Sequence, residues 1–190
     1  MQWEKLSETI QIAINDTHRF GTDAFLLEHF AAVRGIDTVC DLCAGCGIIG
    51  LLMLRRERPP QSVTAVEIAP DAVELMRQTA EISSLTHFAP LRGDLREIRT
   101  LLPAHSFRLV TCNPPYFPAG SGYLCPEDSR RRARHEQEES CTTGEVCNAA
   151  AWLLQYGGRF CLCQRPERLT DVLLAMRQAG LEPKRLRWVQ

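Results

Sequence analysis

Six short β-prone runs alternate with amphipathic segments of helical period, and this alternation most restricts how the chain can fold. The runs are Asp37–Leu42, Ser62–Glu67, Phe88–Arg92, Phe107–Cys112, Arg159–Gln164 and Arg185–Val189. Around them lie Thr22–Val33, Ile48–Arg56, Pro70–Ser84, Thr143–Tyr156 and Pro166–Ala179. In Pro70–Ser84 the apolar Ala72, Val73, Met76 and Ala80 recur at three- and four-residue steps, and Pro70 is pre-set for a first helical turn. Strand followed by helix, repeated, predicts an α/β fold with a doubly wound, mostly parallel sheet covered on both faces. At 190 residues the chain suffices for one core, so residues 1–190 are expected to form a single domain.

Overall charge announces no partner. Hydrophobic residues make up 45% and charged residues 24%, with a formal net charge of -1, so attraction to nucleic acid has to come from local patches. There are nine cysteines, an odd number, the chain opens with the polar MQWEKLSETIQ, and no apolar run approaches membrane-spanning length. A reduced, cytoplasmic protein away from membranes is expected.

The stretch from Cys40 to Gly50, CDLCAGCGIIG, carries two incompatible spacings: C-x2-C-x2-C, as in an iron–sulfur protein, and G-x-G-x-x-G, as in a nucleotide loop. For the metal reading, a strand through Cys40 sends its side chain and that of Cys43 to opposite faces of the pleat. The later Cys112 and Cys125 supply no C-x2-C partner. No metal is expected. The glycine reading fits its surroundings: a strand ends at Leu42, the chain turns through Gly45 and Gly47, and an apolar helix begins near Ile48, presenting backbone N–H groups to a crevice. Glu67 follows twenty residues after Gly47, at the next strand end, where its carboxylate can accept both hydroxyls of a ribose.

Asp41 narrows the nucleotide. A carboxylate just before the glycines repels a pyrophosphate, but balances the sulfonium and ammonium of S-adenosylmethionine. A plain turn-capping Asp is the alternative. After the third strand, Asp94 can accept from an adenine amino group while Leu95 packs against the ring.

After the fourth strand comes Asn113-Pro114-Pro115-Tyr116. Two prolines fix the backbone and hold the preceding residue extended, so the Asn113 amide and the Pro114 carbonyl can both accept from one planar exocyclic amine. Tyr116 offers a face on which the base stacks.

DLCAGCG, VEIAP, RGDL and NPPY, in that order, resemble the Rossmann-type methyltransferases that modify exocyclic or amide nitrogens. RFGTDA at Arg19–Ala24 and ARHE at Ala133–Glu136 are similar to the bacterial tRNA1(Val) adenine-37 N6-methyltransferases, with likeness from about Thr9 onward. The resemblance implies a tRNA-modifying transferase using S-adenosylmethionine. In it Arg19, Phe20, Thr22 and Asp23 cover the methionine end of the cofactor, Asp41, Gly45, Gly47, Glu67, Asp94 and Leu95 bind the rest, and Asn113 to Tyr116 hold the target base beside the cofactor. Read locally, Thr22 caps a helix continued by Phe25, Leu26, His29 and Phe30. Cys46 departs from the family pattern, where a hydroxyl or another small polar residue is usual. The family's sheet ends in an antiparallel hairpin of sixth and seventh strands, of which this sequence reaches only the sixth, at Arg185–Val189.

In methyl transfer from a sulfonium, alignment supplies most of the acceleration, so no strong base or metal is needed. Ser129–His135, SRRRARH, places Arg130, Arg131, Arg132 and Arg134 beside His135, and Gln155–Gln190 has seven basic residues against three acids. Both patches can track phosphates, although Glu136, Glu138 and Glu139 also fit a solvated surface. The loop after Tyr116 is expected to be mobile without RNA. A base in an anticodon loop can be splayed into such a pocket, unlike a paired one. No obligatory protein partner is evident. Other acceptors for the same motif are DNA adenine, rRNA guanine or a protein glutamine amide; an NAD-binding oxidoreductase is a more distant alternative.

Overall fold

A computed structural model describes residues 1–114 and 141–189. Its element order begins with a two-stranded antiparallel hairpin, β1 (Gln2–Lys5) and β2 (Gln11–Ile14), followed by helix α1 (Thr22–Ala31). Then come β3 (Thr38–Leu42), α2 (Ile48–Leu54), β4 (Ser62–Glu67), α3 (Pro70–Ile82), β5 (Phe88–Arg92), a 3-10 turn at Leu95–Glu97 leading into α4 (Ile98–Leu101), and β6 (Phe107–Cys112). The chain continues through α5 (Thr143–Leu153), β7 (Leu154–Leu162), a 3-10 turn at Pro166–Arg168 and α6 (Leu169–Gln178).

Five strands form one parallel sheet in the order β5-β4-β3-β6-β7. Strand order reverses at β3, so the crevice outside the carboxyl ends of β3 and β6 is the topological switch point where open α/β sheets bind ligands. Alternation along each strand sorts the side chains into two cores. Val39, Val63, Ala65 and Leu109 meet α1, α2 and α3 on one face, while Cys40, Leu42, Val66 and Val110 meet α5 on the other.

The hairpin was not anticipated. It is written in Ile10, Ile12 and Ile14, a strict period of two whose members are all buried in the first core. It docks on α3, where Thr79 Oγ1 accepts from Ala13 N at 2.9 Å and Ser83 Oγ accepts from Gln11 N at 3.0 Å.

Structure and expectation part most at three places. Thr22 is the first residue of α1, not its cap: Gly21 holds the capping position, with no side-chain cap bond. The helix expected over Thr143–Tyr156 ends at Leu153, and its strand starts at Leu154 instead of Arg159, with a register shift between Phe107 and Leu109 that absorbs the Gly157-Gly158 pair. The run Arg185–Val189 forms no strand. Its alternation is used otherwise: Arg185 and Arg187 lie over the Phe30 ring, 4.4 Å and 5.8 Å from its centroid, and Arg185 donates to the Phe30 carbonyl at the end of α1. Side-chain alternation alone does not make a strand when the backbone finds no ladder to join. Among the described residues the main sheet therefore stops at five strands.

Candidate active site

The glycine loop is shaped by what lies beneath it. Gly47 has φ 82°, and a Cβ there would come within 2.8 Å of Phe88 Cζ and 3.0 Å of Met76 Cγ, so any side chain would push the loop off the core. Gly45, also left-handed at φ 55°, donates its N–H to Glu67 Oε2 at 2.8 Å. The other Glu67 oxygen accepts from Ile68 N at 2.9 Å and Ala69 N at 3.0 Å. Glu67 thus ties the turn after β3 to the entry of α3, and a carboxylate's lone pairs leave acceptor capacity for a hydroxyl ligand.

Asp41 is the most unusual group here. It is fully buried near the carboxyl end of the central strand; Oδ1 accepts from the buried Thr111 Oγ1 at 2.6 Å, and Oδ2 is buried without a hydrogen-bond partner. Burial raises its pKa from 3.8 to about 7, the Thr111 hydroxyl working against that rise and the Glu67 carboxylate adding to it. An orphaned carboxyl oxygen beside a glycine loop fits a ligand that brings a positive charge or a donor. Thr111 was not foreseen; its only signal is a lone hydroxyl in the otherwise apolar end of FRLVTC.

Asn113 follows β6, and its Nδ2 donates to Asp23 Oδ2 at 2.9 Å, joining the exit of β6 to the first turn of α1. Pro114 is buried. Asp94 caps the 3-10 turn after β5, accepting from Arg96 N at 2.9 Å and from Arg96 Nε at 2.8 Å; this guanidinium holds its carboxyl below the usual range. Leu95 is buried in the second core with Leu42 and Val66.

The segment before α1 crosses toward α3, with His18 Nε2 2.9 Å from Asp71 Oδ2 in that helix's first turn. Within this segment Arg19 pairs with Asp16 at 2.9 Å, and Phe20 packs against the first core. The structure therefore gathers Asp41, Gly45, Gly47 and Glu67 in one loop cluster and links Asp23 to Asn113. Arg19 and Asp94 are engaged with their own neighbours in sequence. Pro115, Tyr116, Arg130, Arg131, Arg132, Arg134 and His135, and with them the expected mobile loop, lie outside the described residues.

The cysteine geometry corrects one expectation. Cys40 and Cys43 do not leave opposite faces: the strand ends at Leu42, Cys43 turns back with φ 54°, and both side chains lie against the second core while Cys46 enters the first. Cys43 Sγ lies 3.7 Å from Cys141 Sγ. Contact with the Cys112 thiol, and burial with it, hold the Cys43 thiol well above its usual range. Among the described residues no group of three or more His, Cys, Asp or Glu side chains is arranged to hold a metal ion.

Comparison with known proteins agrees with this geometry. The family model described as "Methyltransferase small domain" matches residues 17–123. A tRNA1(Val) (adenine(37)-N6)-methyltransferase of Tolumonas auensis is 31% identical over 85% of this chain and 65% of its own length. A protein of the same name from Erwinia tasmaniensis is 30% identical over 76% of this chain and 57% of its own. The chain thus spans less than two thirds of either relative. Among solved structures, TrmN from Thermus thermophilus superposes with a TM-score of 0.59 at 23% identity, covering 84% of this chain and 40% of that one. A precorrin-6y C5,15-methyltransferase from Geobacter metallireducens does so at 0.61 and 13% identity, over 89% and 75%. These likenesses establish a Rossmann-like methyltransferase fold. No helix among the described residues is long and apolar enough to cross a membrane.

Proposed function

This chain belongs to the methyltransferase small domain family, and we propose that it is an S-adenosylmethionine-dependent N-methyltransferase acting on adenine N6 of tRNA, at position 37. The observation that carries this reading is the pairing at the switch point: a buried Asp41 with an orphaned oxygen and, two residues beyond its partner Thr111, the Asn113 amide. The tRNA and the position rest on the names of the relatives, which match over much of this chain.

The residues present fit the cofactor. Asp41 supplies a negative site for a cation, Gly45 and Gly47 let the backbone approach closely, and Glu67, with an acceptor position left on Oε2, accepts from a ribose hydroxyl. Asp94 and Leu95 take the adenine end, and Arg19, Phe20 and Thr22 border the methionine end. When bound, S-adenosylmethionine would supply an activated methyl group to the amine, with S-adenosylhomocysteine as the leaving group and the extra proton passing from nitrogen to solvent.

The chain's own contribution is alignment and electrostatics. Asn113 and the Pro114 carbonyl accept from the two N–H groups of the amine, raising electron density on nitrogen and stabilising the positive charge that develops there. In the same reading, the Tyr116 ring of the NPPY motif serves as the face on which the base stacks. Arg130, Arg131, Arg132, Arg134 and His135 contact phosphates, so neutralising two of these arginines should weaken tRNA binding and flatten its salt dependence while leaving cofactor affinity unchanged.

The test is incubation with labelled S-adenosylmethionine and total tRNA, followed by nucleoside analysis. N6-methyladenosine in tRNA is expected. Label that enters only DNA adenine, rRNA guanine or protein glutamine would overturn the acceptor assignment.

A further inference from the structure

The Asp23–Asn113 contact assigns a role that the order of motifs does not. An Asn side chain is a planar amide with a donor end and an acceptor end, and only the acceptor end can hold an amine N–H. Nothing in Asn113 itself decides which end faces the acceptor. A carboxylate can only accept, so an Asn113 turned the other way would set its carbonyl oxygen against a carboxylate oxygen, oxygen to oxygen. With Asp23 Oδ2 at 2.9 Å from Nδ2, the NH2 end is committed to α1 and the carbonyl end lies on the opposite side of the amide.

Two independent features hold Asp23 in this place. It stands in the first turn of α1, where the positive end of the helix dipole favours a carboxylate and the backbone is regular. Gly21 then makes room for it: a Cβ at Gly21 would lie 2.6 Å from Asp23 Oδ1. The backbone of Gly21 does not require glycine, since φ -111° and ψ -177° are extended values open to any residue. What a side chain there would displace is the Asp23 carboxylate itself.

We propose that Asp23 is the positioning residue of the methyl-transfer site: its carboxylate, seated against Gly21, fixes the orientation of the Asn113 amide so that the carbonyl end receives the target amine. This rests on the N-methyltransferase reading above. It moves Asp23 from the methionine end of the cofactor, where the family resemblance puts it, to the acceptor side. Its negative charge also lies one side chain away from the nitrogen that becomes positive.

The test compares Asp23→Ala, Asp23→Asn and Gly21→Ala in the full chain. A misplaced reacting group costs on the order of 100-fold in rate. Asp23→Ala should therefore lower kcat on tRNA by about 10- to 100-fold, with the S-adenosylmethionine Kd, measured by calorimetry, within about threefold of wild type. Asp23→Asn keeps an acceptor oxygen and should recover part of the loss. Gly21→Ala changes no polar group and should reproduce a milder form of the Asp23→Ala defect, by displacing the carboxylate.

A readout independent of turnover is the side-chain amide resonance of Asn113, assigned by its loss in Asn113→Ser: it should move in Asp23→Ala and in Gly21→Ala. An unmoved resonance in Asp23→Ala overturns the inference whatever the activity. So does a cofactor Kd raised tenfold or more with kcat retained at saturation. A resonance that moves as expected in the two variants, with a wild-type protein that methylates no RNA, overturns the substrate reading and leaves the Asp23–Asn113 assignment standing.

Discussion

The two flanks of the crevice are built differently. On the β4–β5 flank the acids are tied to backbone and to near neighbours in sequence: Glu67 accepts from the N–H groups of Gly45, Ile68 and Ala69, and Asp94 from its neighbour Arg96. On the β3–β6 flank the key contacts run side chain to side chain across long stretches of sequence, Thr111 to Asp41 over 70 residues and Asn113 to Asp23 over 90. A backbone-anchored acid is set as soon as its loop forms. A carboxylate held by another side chain can be retuned by a single substitution. The β4–β5 flank is therefore expected to act as a rigid cradle, and the β3–β6 flank as the place where protonation and orientation are adjusted.

That contrast can be broken most forcefully at Asn113. Asn113→Ala should lower turnover by about 100- to 1,000-fold, the scale of removing one group that stabilises developing charge, while cofactor affinity stays close to wild type. Steady-state kinetics with calorimetry on the same preparation decide the matter; loss of cofactor binding with turnover retained at saturation would show that the flanks are not separable.

On the opposite flank, Glu67→Ala should weaken S-adenosylmethionine binding by about 1–3 kcal/mol, because it leaves buried donors unmatched. It removes the anchor of Gly45 as well, so backbone amide exchange at Gly45 should quicken. Unchanged calorimetric affinity in a folded variant would remove Glu67 from the cofactor site.

The pH dependence sharpens the comparison at Asp41. Its folded pKa, about 7, lies above the ordinary 3.8, so its burial contributes stability to the ligand-free protein below about pH 4 that is lost as pH rises toward 7. A cationic ligand needs the ionised form, so its Kd should fall about tenfold per pH unit well below 7 and level off above. Thr111→Val removes the hydroxyl that opposes the rise and should move this limb to higher pH, whereas Thr111→Ser should restore it. A Kd flat from pH 5.5 to 8 would place the cofactor's charge away from Asp41.

The smallest effect is expected at Cys43, whose partner Cys141 lies across the second core. Cys43→Ser should change stability by no more than about 1 kcal/mol in denaturant titration and leave cofactor binding unaltered, since the thiols here are packing groups.

Legibility followed the range of the interaction. The helix from Pro70 was readable because its apolar residues repeat along one face, and the glycine loop because strand, turn and helix adjoin in sequence. The capping box at Thr142 and Glu145 could have been read from its spacing, as could the alternation of Ile10, Ile12 and Ile14. Arg185–Val189 misled because alternation there reflects arginines laid over Phe30, a contact set by where α1 ends. Cys43 misled because one left-handed residue past a strand end cancels the facing rule that holds inside the strand.

By itself, the sequence determined what short-range sterics and hydrophobic period can encode: the alternation of strand and helix, the parallel sheet it requires, the glycine turn after the first strand of that sheet, and the order of acids and NPPY along its edge. Tertiary structure alone decided that Asp41 loses water and half its hydrogen bonding, that Thr111 is its partner, and that Asp23 and Gly21 settle the direction of the Asn113 amide. These depend on which side chains meet after distant segments close on one another. A carboxyl's charge and an amide's facing are properties of that surrounding volume, which no neighbour in sequence supplies.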